Sequence, residues 1–187
     1  TVIPYLDEID PVALRIGAVN TIINVGGKLR GYNTDYYGMA ALIEKAGIDC
    51  KNKKVLILGT GGTSKTAYAV VKDLGASVIL KASINNEIGT ITYEEAVNIH
   101  NDAEVIINTT PVGMYPKNDG CIIDINKFSK LEGLIDVVYN PLRTNLVLNA
   151  NKLNIPSEGG LYMLVGQAVY ACGLFLDKEI DLSVIDT

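Results

Sequence analysis

Four short apolar runs recur along the chain with room for a helix or loop between each: Val55 to Leu58, Val78 to Leu80, Val105 to Ile107 and Leu134 to Val138. Runs of this length without polar alternation suit strands buried on both faces, as in a parallel sheet. Between the first two, Ser64 to Leu74 is rich in Ala, Val and Lys and stops at Gly75, which predicts a crossover helix with a glycine C-cap. The rhythm is βαβ, and a doubly wound α/β sheet follows from it. The polar stretch Ser83 to Thr92 is too short for a second full crossover, so a loop and one short helix, Tyr93 to Asn98, are expected there. Asn145 to Leu153 and Leu161 to Leu176 show helical periodicity on either side of a Gly159-Gly160 turn. The last of these is long enough to leave the sheet and pack elsewhere. Ahead of the first strand, Ile16 to Asn24 and Lys28 to Tyr32 read as extended pieces joined by Gly26-Gly27, and Tyr36 to Ala46 as a helix.

Composition narrows the chemistry. With 187 residues, 48% of them hydrophobic, the chain can bury one α/β core with some tens of residues to spare. A net charge of -5 and a pI near 4.9 oppose a nucleic-acid or anionic-membrane partner and favour a small-molecule one. The longest mainly apolar stretch, Leu164 to Leu176, falls short of the roughly 20 residues that span a bilayer and reads as a buried helix. Cys50, Cys121 and Cys172 fit neither a disulfide framework nor a metal site, so a reducing cytoplasm is the expected location. The chain opens on Thr1-Val2-Ile3-Pro4 without Met or a signal-peptide pattern, as though cut from something longer.

The richest local signal is Lys54 to Ser64, KVLILGTGGTS, a buried strand running into Gly59, Gly61 and Gly62 and then a helix. Residues without Cβ let main-chain N–H groups approach a phosphate, and the first helical turn adds unpaired donors and a positive dipole end. The turn suits the pyrophosphate of a dinucleotide.

Four further motifs surround it in order: Gly17-Ala18-Val19-Asn20-Thr21, Gly31-Tyr32-Asn33-Thr34-Asp35, Asn108-Thr109-Thr110-Pro111-Val112-Gly113-Met114 and Asp136-Val137-Val138-Tyr139-Asn140-Pro141. Together with Gly159-Gly160-Leu161-Tyr162-Met163-Leu164-Val165-Gly166-Gln167-Ala168 they resemble the shikimate dehydrogenase family over essentially the whole chain. The resemblance implies NADP-dependent, reversible reduction of 3-dehydroshikimate to shikimate, in aromatic amino-acid biosynthesis, by a Lys–Asp pair beside the substrate carbonyl. It assigns the acid of that pair to Asp35 and substrate contacts to Asn20, Tyr139 and Gln167. On the cofactor side it implies Gly59, Gly61, Gly62 and Thr63 around the pyrophosphate, Thr109 along the adenosine, and Gly160 and Met163 beside the nicotinamide. A homodimer is left open.

Each residue also has a plainer reading. Asp35 stands before a helical pattern and is placed to cap it. Asn20 suits a turn, Gln167 a buried group with a local partner, Tyr139 strand-end packing and Met163 core filling. His100, in a polar loop, carries no expected role.

Two departures from the family pattern stand out. Where the family has Asn-Arg-Thr after its second strand, with the Arg on the 2′-phosphate of NADP, this chain has Lys81-Ala82-Ser83. No Asp or Glu ends that strand to take the ribose 2′-hydroxyl of NAD, so Lys81 and Lys65 are the expected monodentate phosphate contacts. The family's Ser-x-Ser pair and its Asn-Val-Thr-Pro-His-Lys motif with the catalytic Lys have no match here. The expected organisation is a remnant of a substrate domain over residues 1–35, a Rossmann NADP-binding domain over 36–160, and a C-terminal helix, 161–187, returning to the substrate side. Two rivals remain: an NAD-dependent quinate/shikimate dehydrogenase, and a non-catalytic nucleotide-binding module.

Overall fold

The computed structural model describes residues 2–85 and 87–186. Its first part is a small sheet of β1 (Glu8–Ile9), β2 (Thr21–Val25) and β3 (Lys28–Tyr32), in the order β1-β3-β2. β2 and β3 form an antiparallel hairpin whose turn, Gly26 and Gly27, has φ of +60° and +88°, values that suit a tight hairpin and that glycine adopts without strain. Between β1 and β2 runs α1 (Pro11–Ile16), where only an extended piece from Ile16 is expected from the sequence. The reason is local: Asp10 accepts from Val12 and Ala13 N–H, Pro11 fits the first turn, and Gly17 at φ +70° ends the helix. The extended segment therefore starts only at Thr21.

After α2 (Asp35–Lys45) comes a parallel sheet of β4 (Lys54–Leu58), β5 (Val78–Ala82), β6 (Val105–Asn108), β7 (Gly133–Asp136) and β8 (Ser157–Gly159), in the order β5-β4-β6-β7-β8. It is the doubly wound fold that the apolar runs predict. α3 (Gly62–Asp73) makes the first crossover, and α4 (Tyr93–Asn98) and α5 (Asn145–Lys152) follow. The chain leaves β4 towards β5 on one side and returns to β6 on the other, so a topological switch point opens between the carboxyl ends of β4 and β6. β8 lacks an apolar signature and joins through main-chain pairing of Ser157 with Leu134 and Gly159 with Asp136.

Side-chain alternation along the strands builds two cores. Val55, Ile57, Val105, Ile107 and Ile135 face Met39, Leu42 and Ile43 of α2 and Val70 and Val71 of α3. Leu56, Leu58, Ile106 and Leu134 face Ala96 of α4, Leu146 and Val147 of α5, and Ile123, Ile125 and Phe128.

α6 (Leu161–Leu176) lies along α2, and Tyr37 and Tyr170 stack with ring centroids 3.7 Å apart. A Cβ on Gly38 would meet the Met163 carbonyl oxygen at 2.5 Å, so glycine is what lets the two helices approach this closely. The expectation of a buried helix over 164–176 is corrected here. Only Met163 and Gly166 of α6 are buried, while Phe175 and Leu176 are more than half exposed. One face of α6 packs on α2; the other borders an open groove of about 970 Å³ beside the β2–β3 hairpin. Among the described residues no helix is long and apolar enough to cross a membrane.

Candidate active site

The N-terminal ends of α2, α3 and α6 share one side of the molecule. α3 and α6 follow directly from the carboxyl ends of β4 and β8. The segment after α2 reaches the opposite end of the sheet, where Ile48 packs on Gly133, the first residue of β7. The start of α2 therefore points back towards the switch point.

At that switch point Gly59 (φ +108°) receives no side chain without cost: a Cβ there would meet Thr109 Oγ1 at 2.9 Å and Thr110 Cγ2 at 3.0 Å. Its N–H donates to the Ala82 carbonyl, and its own carbonyl accepts from Ser64 Oγ at 2.8 Å, which fixes the turn against β5 and α3. Gly61 and Gly62 are different. Both are exposed, nothing lies within 4 Å of where their Cβ atoms would be, and Gly61 caps α3 without a side-chain acceptor. The first N–H groups of α3 thus face open space with a positive dipole end behind them, a cradle that fits a pyrophosphate. Thr63 is half-buried at its edge.

Where α2 and α6 meet the small sheet, a second set of groups is joined by hydrogen bonds. Thr34 Oγ1 lies 3.2 Å from Asn20 Oδ1 and from Gln167 Oε1, and Thr34 N–H donates to Asn20 Oδ1 at 2.8 Å. Thr21 Oγ1 is within 3.2 Å of both Asn20 Oδ1 and Thr34 Oγ1. Asp35 follows Thr34 directly, at the first position of α2, beside this set. Residues from the end of β3, the entry to β2, the start of α2 and the middle of α6 are thereby brought together.

Asp35 is half-buried, and burial raises its carboxyl above the ordinary value while the Asn20 hydrogen bond pulls it partly back. The capping alternative is answered by geometry. The acceptor at the start of α2 is Asn33, whose Oδ1 takes the Tyr36 N–H at 3.1 Å, and no main-chain N–H among the described residues donates to Asp35. A half-buried carboxylate beside amide and hydroxyl groups, making no cap hydrogen bond to its helix, suits proton or hydroxyl handling.

The other expected residues are placed less centrally. Thr109 turns its hydroxyl into the sheet, onto the Leu58 carbonyl at 2.7 Å. Gly160 bonds through its N–H to the Val138 carbonyl, and a Cβ would fall 2.0 Å from the Val137 oxygen, so it joins α6 to the end of β7. Met163 is 7% exposed and lies in the core shared with α2. Tyr139 is 46% exposed on the rim and takes no part in the hydrogen bonds around Asp35. Lys81 Nζ lies 5.6 Å from the centre of the Tyr68 ring, in a cleft of about 250 Å³ on the flank of α3 that Lys65, Lys72 and Arg15 also line.

Several contributors escape a reading of the sequence. Thr34 is the hub of the polar set, although as one residue in a motif it carries no signal of its own. Asp136 is fully buried and accepts from Thr144 Oγ1, Asn108 Nδ2 and Val138 N–H, which ties the loops after β6 and β7 to α5. Burial raises this carboxyl too, with the three donors opposing. Glu87, five residues past β5, returns to bond Thr60 Oγ1 at 3.0 Å.

A parallel doubly wound sheet with an open glycine turn at its switch point is the arrangement used by dinucleotide-dependent oxidoreductases. No protein-family model matches the chain. It nevertheless belongs to the shikimate dehydrogenase family. A shikimate dehydrogenase (NADP(+)) of Methanosphaera stadtmanae is 37% identical over 196 residues, covering 95% of this chain and 69% of the relative. Among solved structures, shikimate dehydrogenase 1 of Peptoclostridium difficile superposes with a TM-score of 0.87 at 38% identity, over 99% of this chain and 71% of the other. The shikimate 5-dehydrogenase of Thermus thermophilus, solved in complex with NADP(H) and shikimate, gives 0.85 at 27% identity, over 97% and 71%.

Proposed function

We propose that this chain carries the cofactor site and the acid side of the substrate site for NADP-dependent, reversible reduction of 3-dehydroshikimate to shikimate. The observation that carries the reading is the junction at Thr34, which holds Asn20 and Gln167, with Asp35 next to it at the start of α2. NADPH, when bound, supplies the hydride to the carbonyl carbon. Gly61, Gly62 and Thr63 hold the pyrophosphate through α3 N–H groups, with Thr109 and Gly160 shaping the walls of the cleft and Met163 supporting it from the core. Lys81, with Lys65, offers cationic charge for the adenosine phosphate in place of the guanidinium.

On the substrate side, Asn20 has its Oδ1 engaged by Thr34, which orients the amide and leaves its N–H groups for a ring hydroxyl and for Asp35. Gln167 is fixed in the same way, through Thr34 at Oε1 and by its Nε2 donating to the Leu164 carbonyl. Tyr139 stands at the rim of this site. Asp35 holds the reacting oxygen's hydrogen-bonding partner, and burial raises its carboxyl above the ordinary value. Its partner in the proton step is the lysine of the family motif, for which this sequence has no match. Residues 1–35 belong to the substrate side of this arrangement, 36–160 to the cofactor domain, and the helix of 161–187 links the two; Thr1, Asn86 and Thr187 lie outside the described residues.

Titration calorimetry on the 187-residue chain tests the reading, with a shikimate oxidation assay beside it. Saturable NADP⁺ binding without turnover is expected. Absence of NADP⁺ binding would overturn the cofactor site, and turnover would overturn the assignment of the proton step to a lysine absent from this sequence.

A further inference from the structure

The loop after β5 places an acid where the sequence shows none. Ser83 N–H donates to the Ile91 carbonyl, and Ile91 N–H donates to the Lys81 carbonyl, so Ile91 lies back against the end of the strand. Just before it, Thr90 bonds the Glu87 carbonyl through both its N–H and its hydroxyl, which fixes the Glu87 main chain. The Glu87 side chain then reaches the glycine turn: its Oε1 accepts from Thr60 Oγ1 at 3.0 Å and lies 3.5 Å from Ser83 Oγ. Thr60 belongs to the turn after β4, and Ser83 is the first residue beyond β5.

In a dinucleotide fold the adenosine ribose sits between those two places, and a carboxylate there accepts from the ribose 2′-hydroxyl. A carboxylate at the same place repels a 2′-phosphate. Lys81 and Lys65, the cations available to a 2′-phosphate, stand on the flank of α3, where Lys81 lies over Tyr68, so they offset the Glu87 charge only in part. We propose that Glu87, held by Thr60, is a specificity-determining residue that reads the ribose 2′-hydroxyl and so gives this chain substantial affinity for NAD⁺ beside NADP⁺. The inference rests on the dinucleotide reading of the site and refines it.

The residue is exposed, so its charge is screened and its effect is one of ratio rather than of all-or-none selection. NAD⁺ and NADP⁺ are titrated separately into the parent chain, Glu87→Gln and Glu87→Lys, with thermal denaturation as a check on folding. In the parent the two dissociation constants should lie within about tenfold of each other. Glu87→Gln should move the ratio towards NADP⁺ by about tenfold, about 1.4 kcal/mol, with NAD⁺ affinity falling. Glu87→Lys should move it further. An unchanged ratio in both variants, with both nucleotides still bound, would overturn the role of Glu87 and leave the dinucleotide site standing. Binding of neither nucleotide to the folded parent would overturn the site and this inference together.

Discussion

Gly59 and Gly61 belong to one turn, yet substitution at the two should separate folding from binding. At Gly59 the backbone sits at φ +108°, and an added Cβ would meet Thr109 Oγ1 at 2.9 Å. Holding an L-residue in such a conformation costs roughly 1–3 kcal/mol. Displacing Thr109 from its 2.7 Å bond to the Leu58 carbonyl adds about 1 kcal/mol. Gly59→Ala should therefore lower the unfolding free energy by about 2–4 kcal/mol. Gly61 has φ −69° and ψ −171°, which valine adopts freely, and its Cβ position is open. Valine is a poorer N-cap than glycine, at a cost on the order of 1 kcal/mol. Its branched side chain nevertheless fills the space in front of the α3 N–H groups, so Gly61→Val should weaken NADP⁺ binding by at least about a hundredfold, about 2.8 kcal/mol. Urea denaturation and titration calorimetry on both variants measure the two quantities. Gly61→Val binding NADP⁺ as tightly as the parent, or unfolding as easily as Gly59→Ala, would refute the phosphate-turn assignment.

Two further substitutions address the carboxylates. The Asp136 carboxyl is raised in the folded state by burial, so the folded chain holds a proton that the unfolded chain releases, and this contribution to stability is lost as pH rises from the unfolded value of about 3.9 through the folded one. Asp136→Asn keeps an oxygen for Asn108 and Val138 and an amide for Thr144, so its denaturation curves should lose that pH dependence and show a stability at pH 7 no lower than the parent's; a loss of more than about 2 kcal/mol would contradict this. Asp35→Asn should leave the melting temperature within a few degrees, because Asn33 rather than Asp35 accepts the Tyr36 N–H, while shikimate binding to the NADP⁺-loaded chain weakens. A clear drop in melting temperature with unchanged shikimate binding would return Asp35 to a structural role.

β4, β6 and β7 are legible because parallel strands covered on both faces must be apolar at consecutive positions, β5 because its short apolar run survives at the sheet edge, and α3 because its glycine turn and Gly75 mark both ends. β8 was not, since Ser157–Gly159 is held by main-chain hydrogen bonds to β7 that leave no trace in side-chain type. α1 was hidden by its brevity, although Asp10-Pro11 and Gly17 are in retrospect a start and a stop. In the candidate site, the motifs point to Asn20, Asp35 and Gln167, and Thr34 lies within hydrogen-bonding distance of Asn20 and Gln167. Thr34 and Glu87 were missed for a physical reason. Thr34 acts by bridging residues from three elements, and Glu87 acts because the loop after β5 carries it back to Thr60, so neither role is visible in neighbouring residues. The apolar character of α6 suggested burial, whereas glycine contacts seat one face on α2 and leave Phe175 and Leu176 outside.

The central claim is that the glycine turn and the Asp35 set form two halves of one cleft, and amide chemical-shift mapping of the ¹⁵N-labelled chain tests it most directly. NADP⁺ should shift the resonances of Gly61, Gly62 and Thr63, and shikimate added to the loaded chain should shift those of Asn20, Thr34, Asp35 and Gln167, with weak affinity no obstacle to detection. Shikimate perturbing none of these four, or NADP⁺ mapping away from the turn after β4, would contradict the account.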